Sequence, residues 1–179
     1  MRSATASPMY ARALRGSMRA RVERIFRKLE ETGHEDVECV ALMMGVDPHL
    51  DMSFFYATDL VHGGLFERSI AVLRKDGRVE VLTSVLEESS AKKASEIDLH
   101  VYTTNEEKEK WLADRLRAVA KVGINAPEIT LNEYHLLKRL APGRMAARAA
   151  SCAASTVSYI PRCSSVPRPK THVRVRSLA

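Results

Sequence analysis

Five residues of metal-binding type lie within one short stretch of the sequence: Asp47, His49, Asp51, Asp59 and His62. Carboxylates and imidazoles are common protein ligands of divalent cations. Their spacing matches no established metal motif, however, and Asp residues in loops commonly cap helices and close turns. We therefore keep two interpretations of this stretch, the metal site of a small hydrolase and capping chemistry on a loop, and we favour capping.

A second polar stretch begins at His62, continues through a Gly-Gly pair, and leads to Glu67 and Arg68. The guanidinium group of Arg68 can pair with the carboxylate of a peptide through two parallel hydrogen bonds. The alternative is a surface ion pair between Arg68 and either Glu67 or Glu80, which contributes little to stability. This stretch is the better candidate for a functional role.

An aromatic cluster, Phe54-Phe55-Tyr56, precedes these polar residues. Such a cluster can form the floor of a peptide pocket, with Tyr56 as a candidate at a substrate entrance. More often it packs in the core beneath a loop, and we favour the core. The sequence shows no Gly-rich phosphate loop, no convincing Ser/His/Asp order and no CxxC motif.

A β-hairpin is predicted at the centre of the chain, just after this polar region. Ile70 and Val72 form its first arm, the turn is Lys75-Asp76-Gly77, and Val79 and Val81 begin the second arm. An Asp-Gly pair between β-branched runs is a strong hairpin signal, because Gly tolerates the positive φ that such turns need.

Helices and further strands alternate around the hairpin. Apolar stripes at helical spacing predict helices at 18–32, 85–95 (with Leu86, Ala91 and Ala94 inward), 106–120 and 130–140, and short apolar runs predict strands at 37–44, 99–102 and 121–125. A short helical turn capped by Asp51 or Ser53 is expected before the hairpin. Interleaved strands and helices indicate an α/β fold, a three-layer mixed β-sheet with helices on both faces.

The charge distribution separates the two ends of the chain from its middle. The 179 residues hold 28 Lys and Arg against 22 Asp and Glu, but residues 1–17 and 141–179 contain no acidic residue. We predict a disordered leader at 1–17, a folded domain at 18–143, and a basic, poorly ordered tail at 144–179, with an out-of-frame origin of the tail as the sharper alternative.

The composition also predicts the solubility and the location of the protein in the cell. No apolar run approaches the ~20 residues that span a bilayer, and three cysteines without metal spacing suggest free thiols. We therefore expect a soluble, cytoplasmic protein that has no membrane partner, and a nucleic-acid partner is not favoured.

The folded middle resembles the creatinase N-terminal domain of Xaa-Pro aminopeptidases and prolidases, the pita-bread metallopeptidases. The matching pieces are RVERIFRKLEETG, VECVALMMGV, FFYATDL (similar to the family's "-YLTG-" stretch), GGLFERSIAVLRKDGRVEVLTS, LEESSAKKA, and KVGIN followed by NEYHLLKRLAPG. The family's Gly after Thr is Asp59 here, so that turn must be rebuilt or locally strained.

The resemblance implies a ribonuclease H-like sheet and a non-catalytic role. In the family a separate catalytic domain binds two divalent metal ions through Asp, His and Glu, but no acidic residue follows Glu133 here. We therefore expect no catalytic residue, metal site or cofactor in these residues and no peptidase activity from this polypeptide alone. The expected partners are a second copy in a homodimer, a catalytic domain encoded separately or in another frame, and, in that context, a peptide substrate.

Two further implications concern function. By resemblance, the stretch from His62 to Arg68 faces the catalytic domain or the dimer partner, where it can narrow the substrate entrance. The domain also resembles the catalytically inactive part of a histone-chaperone subunit. The alternative function is therefore a stand-alone peptide- or protein-binding module, to which the basic tail adds salt-sensitive contacts.

Overall fold

A computed structural model describes residues 17–46, 51–60, 66–94, 96–125 and 129–146. Its helices are α1 (Met18–Glu31), α2 (Met52–Thr58), α3 (Glu88–Ala91), α4 (Asn105–Arg117) and α5 (Leu131–Leu140). Its strands are β1 (Cys39–Met43), β2 (Ile70–Arg74), β3 (Val79–Ser84), β4 (Asp98–Tyr102), β5 (Val122–Ile124) and β6 (Met145–Ala146). Residues 1–16 of the predicted leader and most of the predicted tail lie outside the described residues, whereas Ser17 caps α1.

The strands form one mixed sheet in the order β4-β3-β2-β1-β5-β6. Strand β2 runs antiparallel to β1 and β3, whereas β4 is parallel to β3, β5 to β1 and β6 to β5. All strands except β2 therefore point the same way. The short strand β6 lies just beyond residue 143, the end of the predicted domain.

Both faces of the sheet are covered by helices, which confirms the predicted three-layer α/β architecture. Strand β1 is buried along its whole length because its side chains alternate between two cores. Val40 and Leu42 pack with α1 and α2 on one face. Cys39, Ala41 and Met43 pack with α4 and α5 on the other face.

The hairpin of β2 and β3 lies at the centre of the sheet, as predicted. Gly77 in its turn has a φ of 89°, and Asp76 accepts a hydrogen bond from the backbone N–H of Arg78 at 3.0 Å. An ideal Cβ added to Gly77 would lie 2.7 Å from Cγ of Arg19, a side chain of α1. Glycine is therefore required here by conformation and is also favoured by space.

Helix α4 begins with a capping box that positions the end of the neighbouring strand β4. The hydroxyl of Thr104 accepts a hydrogen bond from the backbone N–H of Glu107, and the Glu107 carboxylate accepts bonds from the backbone of Thr103 and Thr104. These bonds hold the pKa of Glu107 below its usual value. The Glu107 carboxylate is therefore negatively charged at neutral pH and suits the positive end of the helix dipole.

One expectation for the segment after the hairpin is wrong. The apolar spacing predicted a helix over residues 85–95 with Leu86 inward, but the helix found there is α3, from Glu88 to Ala91. Leu86 lies in the turn before it and is 87% exposed, whereas Ala91 is fully buried. A helix of one turn is too short to bury several residues along one face, so Ala91 is the buried residue of α3 and Leu86 lies outside the helix.

A partly buried charge cluster joins the hairpin to α4. The carboxylate of Glu80 lies 3.0 Å from Nε of Arg115 and 3.5 Å from Nε of Arg74. The guanidinium of Arg115 also stacks on the ring of Trp111 at 4.1 Å. Glu80 therefore offsets two cations that are each largely withdrawn from water.

Candidate functional site at the carboxyl edge of the sheet

The parallel strands end together at one edge of the sheet, which we call the carboxyl edge. The chain adds β2, β3 and β4 on one side of β1 and then returns to place β5 on the other side. A reversal of strand order of this kind leaves a crevice outside the strand ends, where α/β proteins commonly bind ligands. The residues that follow β1 and β5 therefore define the first part of the candidate site.

A buried polar network spans this reversal point. Asn125 follows β5, and its Nδ2 donates to the carboxylate of Asp51 at 2.7 Å and to Oγ of Ser53 at 3.2 Å. Asp51, one of the two candidate caps named from the sequence, caps α2 through a 2.7 Å bond from the backbone N–H of Ser53. All three side chains are buried. The network fixes the start of α2 against the end of β5.

Of the five candidate metal ligands, the structure describes two, and these lie at opposite ends of α2. Asp51 precedes the first residue of α2 and Asp59 follows the last one, so the rise of about 1.5 Å per residue separates their backbones by roughly 12 Å. Asp59 has a φ of 59° and lies 3.6 Å from the guanidinium of the buried Arg21. Asp47, His49 and His62 lie outside the described residues, and no group of three His, Cys, Asp or Glu side chains occurs within them.

The aromatic cluster is core, as favoured from the sequence. Phe54 is fully buried, and its ring centroid lies 5.9 Å from that of Phe55 and 6.4 Å from that of Phe66. Tyr56 is 5% exposed and packs on the α1 side of the sheet, with its hydroxyl 3.5 Å from Nη1 of Arg24. Tyr56 is therefore a packing residue here, and its predicted role at a substrate entrance stays a prediction.

Arg68 lies at the carboxyl edge, exposed to solvent, where β2 begins. Its φ of 60° places the backbone in the left-handed region, and its N–H donates to the carbonyl of Met44 at 3.1 Å. Its own carbonyl accepts a bond from Nζ of Lys108, a residue of α4, at 3.2 Å. Because the backbone N–H and the carbonyl of Arg68 are both hydrogen-bonded, its Cα is fixed in position, although the side chain is exposed to water.

The structure does not bring together the predicted entrance residues that it describes. Tyr56 packs on the α1 side of the sheet, whereas the Arg68 carbonyl contacts α4 on the other side. The alternative interpretation, a surface ion pair of Arg68 with Glu67 or Glu80, has no such pair within 4.0 Å among the described residues, and the Glu80 carboxylate is held by Arg74 and Arg115.

Sequence reasoning missed two residues beside Arg68. Lys108 lies 5.5 Å over the ring of Tyr102, at the end of β4. Burial lowers the pKa of Lys108, and the nearby Arg68 guanidinium lowers it further. Burial raises the pKa of Tyr102, against the effect of Arg68. Lys108 follows Arg68 by 40 residues, so no local pattern could have revealed the contact.

The mixed sheet with helices on both faces defines a three-layer α/β fold class, and comparison with known proteins identifies the family. The sequence matches the Creatinase/Prolidase N-terminal domain over residues 21–155. The chain belongs to this family, as the residues quoted above indicated. No curated protein matches the chain.

Solved structures support the same fold. An Xaa-Pro dipeptidase from Bacillus anthracis shares 15% identity with a TM-score of 0.54, over 72% of this chain and 33% of that chain. The Creatinase/Prolidase N-terminal domain of an X-Pro dipeptidase from Streptococcus pyogenes shares 17% identity with a TM-score of 0.55, over 72% of this chain and 92% of that one. The N-terminal domain of the cytoplasmic peptidase PepQ from Mycobacterium tuberculosis shares 15% identity with a TM-score of 0.55, over 76% and 98%.

These comparisons limit what transfers to this chain. It spans 33% of the Bacillus anthracis dipeptidase. At these identities the solved structures show the fold alone. Among the described residues, no helix is long and apolar enough to cross a membrane.

Proposed function

We propose that the chain acts as the non-catalytic N-terminal domain of an Xaa-Pro peptidase. In this role its carboxyl edge forms part of the entrance through which a peptide reaches a catalytic domain, and the domain takes part in a homodimer. The family match and the named Xaa-Pro dipeptidases among its structural relatives support the proposal. The metal chemistry belongs to the catalytic domain of such enzymes.

One observation carries the proposal: the fixed backbone of Arg68 at the carboxyl edge. Both backbone groups of Arg68 are hydrogen-bonded, and the side chain extends into solvent. A cation fixed at its base loses less conformational freedom on binding than one on a flexible loop. By the family resemblance, His62 also belongs to the entrance in this proposal, although it lies outside the described residues.

The test is a nuclear magnetic resonance titration of the full chain with the dipeptides Ala-Pro and Ala-Ala. We expect tighter binding of Ala-Pro, with shifts at the carboxyl edge, and a loss of about fivefold to tenfold in affinity in Arg68→Gln, because a charge-assisted bidentate contact is removed. The matched control is Arg27→Gln, an exposed arginine on α1 that should leave the affinity unchanged.

Two outcomes would contradict the proposal. Equal affinity for both dipeptides removes the preference for proline. An equal loss of dipeptide affinity in Arg68→Gln and Arg27→Gln removes the role of the carboxyl edge.

Sedimentation velocity tests the second part of the proposal, since a chain that stays monomeric at high protein concentration does not form the homodimer. A monomer that binds longer peptides regardless of proline favours the stand-alone binding module.

A further inference from the structure

Arg68, Lys108 and Tyr102 converge at the corner of the carboxyl edge where β2 begins and β4 ends. Lys108 is half-buried between its two neighbours, with its Nζ 3.2 Å from the Arg68 carbonyl and 5.5 Å from the centre of the Tyr102 ring. The ammonium group donates one N–H to this carbonyl and has two further N–H groups that can donate to a ligand. We call this group the corner cluster.

Nearby carboxylates are already committed to other partners. The carboxylate of Glu109 binds Arg139 at 2.9 Å. The carboxylate of Glu133 accepts both the N–H and the hydroxyl of Thr130 at 2.9 Å in the capping box of α5. In the part of the chain that the structure describes, neither Arg68 nor Lys108 forms an ion pair within 4.0 Å. The corner cluster therefore holds two cations without a direct counter-ion.

The electrostatics of the cluster are those of a site that favours an anion. Burial lowers the pKa of Lys108, Glu133 and Glu109 oppose that change, and Arg68 adds to it. A half-buried cation beside a like charge is costly, and a bound anion would reduce that cost. The Tyr102 hydroxyl is protonated at neutral pH because the ordinary pKa of tyrosine is about 10, and burial raises this pKa further.

We propose that Arg68, Lys108 and Tyr102 form a binding site for a carboxylate, and that its occupant is the C-terminal carboxylate of a short peptide. Arg68 contributes a planar pair of donors that matches the two carboxylate oxygens, and Lys108 contributes a point charge. The peptide assignment rests on the proposed function, whereas the carboxylate site does not.

A singly charged carboxylate fits the cluster better than a phosphate dianion. Arg68 and Lys108 both contribute positive charge at the corner, but Glu109 and Glu133 lie close enough to affect the pKa of Lys108. These acids offset part of the positive potential and would repel a second negative charge on the ligand. Inorganic phosphate is therefore expected to bind more weakly than a carboxylate.

The experiment is a calorimetric titration of the full 179-residue chain with N-acetylproline, N-acetylprolinamide and inorganic phosphate. We expect N-acetylproline to bind about tenfold more tightly than the amide, because only the acid can accept charge-assisted bonds from both cations. The affinity should also fall with added sodium chloride, since the site is partly exposed.

Variants then assign the site. Lys108→Gln is expected to weaken N-acetylproline binding about tenfold, and Lys108→Arg should retain most of the affinity because the charge is kept. Tyr102→Phe is expected to weaken binding about threefold through the loss of a neutral donor. The matched control is Lys110→Gln, an exposed lysine on the same helix that should bind as the unmodified chain does.

Each part of the inference can fail separately. Equal affinity for acid and amide, or undiminished binding in Lys108→Gln at an unchanged unfolding temperature, overturns the carboxylate site. Tighter binding of phosphate overturns the peptide assignment. If N-acetylalanine binds at the corner cluster as well as N-acetylproline does, the carboxylate site stands and the proposed proline-peptide function loses its support.

Discussion

The buried network at the strand reversal gives the sharpest prediction about stability. In Asn125→Ala, Asp51 loses a 2.7 Å charge-assisted bond and Ser53 loses a 3.2 Å bond. The first bond contributes about 1.5–3 kcal/mol and the second about 0.5–1.5 kcal/mol. The free energy of unfolding should therefore fall by about 2–4 kcal/mol.

Urea denaturation measures this effect, and a double-mutant cycle isolates it. With a denaturant dependence of about 2 kcal/mol per molar urea, the midpoint should fall by about 1–2 M. Combining Asn125→Ala with Asp51→Ala should give a coupling energy of about 1.5–3 kcal/mol, because either change alone breaks the same bond.

The control for this cycle is Asn132→Ala. Asn132 is exposed on α5, so the same chemical change should alter the free energy of unfolding by less than about 0.5 kcal/mol. A coupling energy near zero between Asn125 and Asp51 would refute the reasoning. The two residues would then stabilise the fold independently, and the network would not join α2 to β5.

Three further predictions concern the core, the charge cluster and the hairpin turn. Burial raises the pKa of the Cys39 thiol from 9.0 to about 11. Between these two pH values the thiol stays protonated in the folded state and is deprotonated in the unfolded state. The resulting stabilisation, about 2–3 kcal/mol, is present below pH 9 and is lost as the pH rises towards 11. Chemical denaturation across this range should show the extra loss in the unmodified chain and not in Cys39→Ala. Glu80→Gln leaves two partly buried guanidinium groups without their carboxylate, and thermal unfolding should show a loss of about 2 kcal/mol, less than for a fully buried pair; a loss below 0.5 kcal/mol would mean that water screens the cluster. Gly77→Ala should cost more than Gly33→Ala, by about 1 kcal/mol in urea denaturation, because both have positive φ but only Gly77 would bring its Cβ to 2.7 Å from Arg19; equal costs would show that this arginine moves aside freely.

Much of the fold could be predicted because its signals are local. The Asp76-Gly77 pair marked the central hairpin, and the apolar spacing of Val22, Ile25 and Leu29 marked the buried face of α1. The cap of α2 could be narrowed to Asp51 or Ser53 because capping acts on the residues that follow directly. The departure at Asp59 from the family pattern likewise predicted an unusual turn, and its φ of 59° shows one.

The candidate site could be predicted only in part, because its contacts join distant residues. The sequence singled out Arg68, but its partner Lys108 lies 40 residues away. The bond from Asn125 to Asp51 spans 74 residues, and only the strand reversal brings the two together. Leu86 was misplaced for a related reason, since apolar spacing cannot show how many turns a helix completes.

The position of β5 also has a consequence for the order in which the protein assembles. Strands β2 and β3 pair through a short turn, whereas β5 pairs Val122 with Cys39 of β1 across most of the described domain. Closing a long loop costs entropy before any contact repays it, so local pairings form faster. During synthesis the hairpin and α1 can therefore meet while β5 is still within the ribosome. Pulsed hydrogen exchange on the refolding chain should then protect the amides of Val72 and Val81 before that of Gly123.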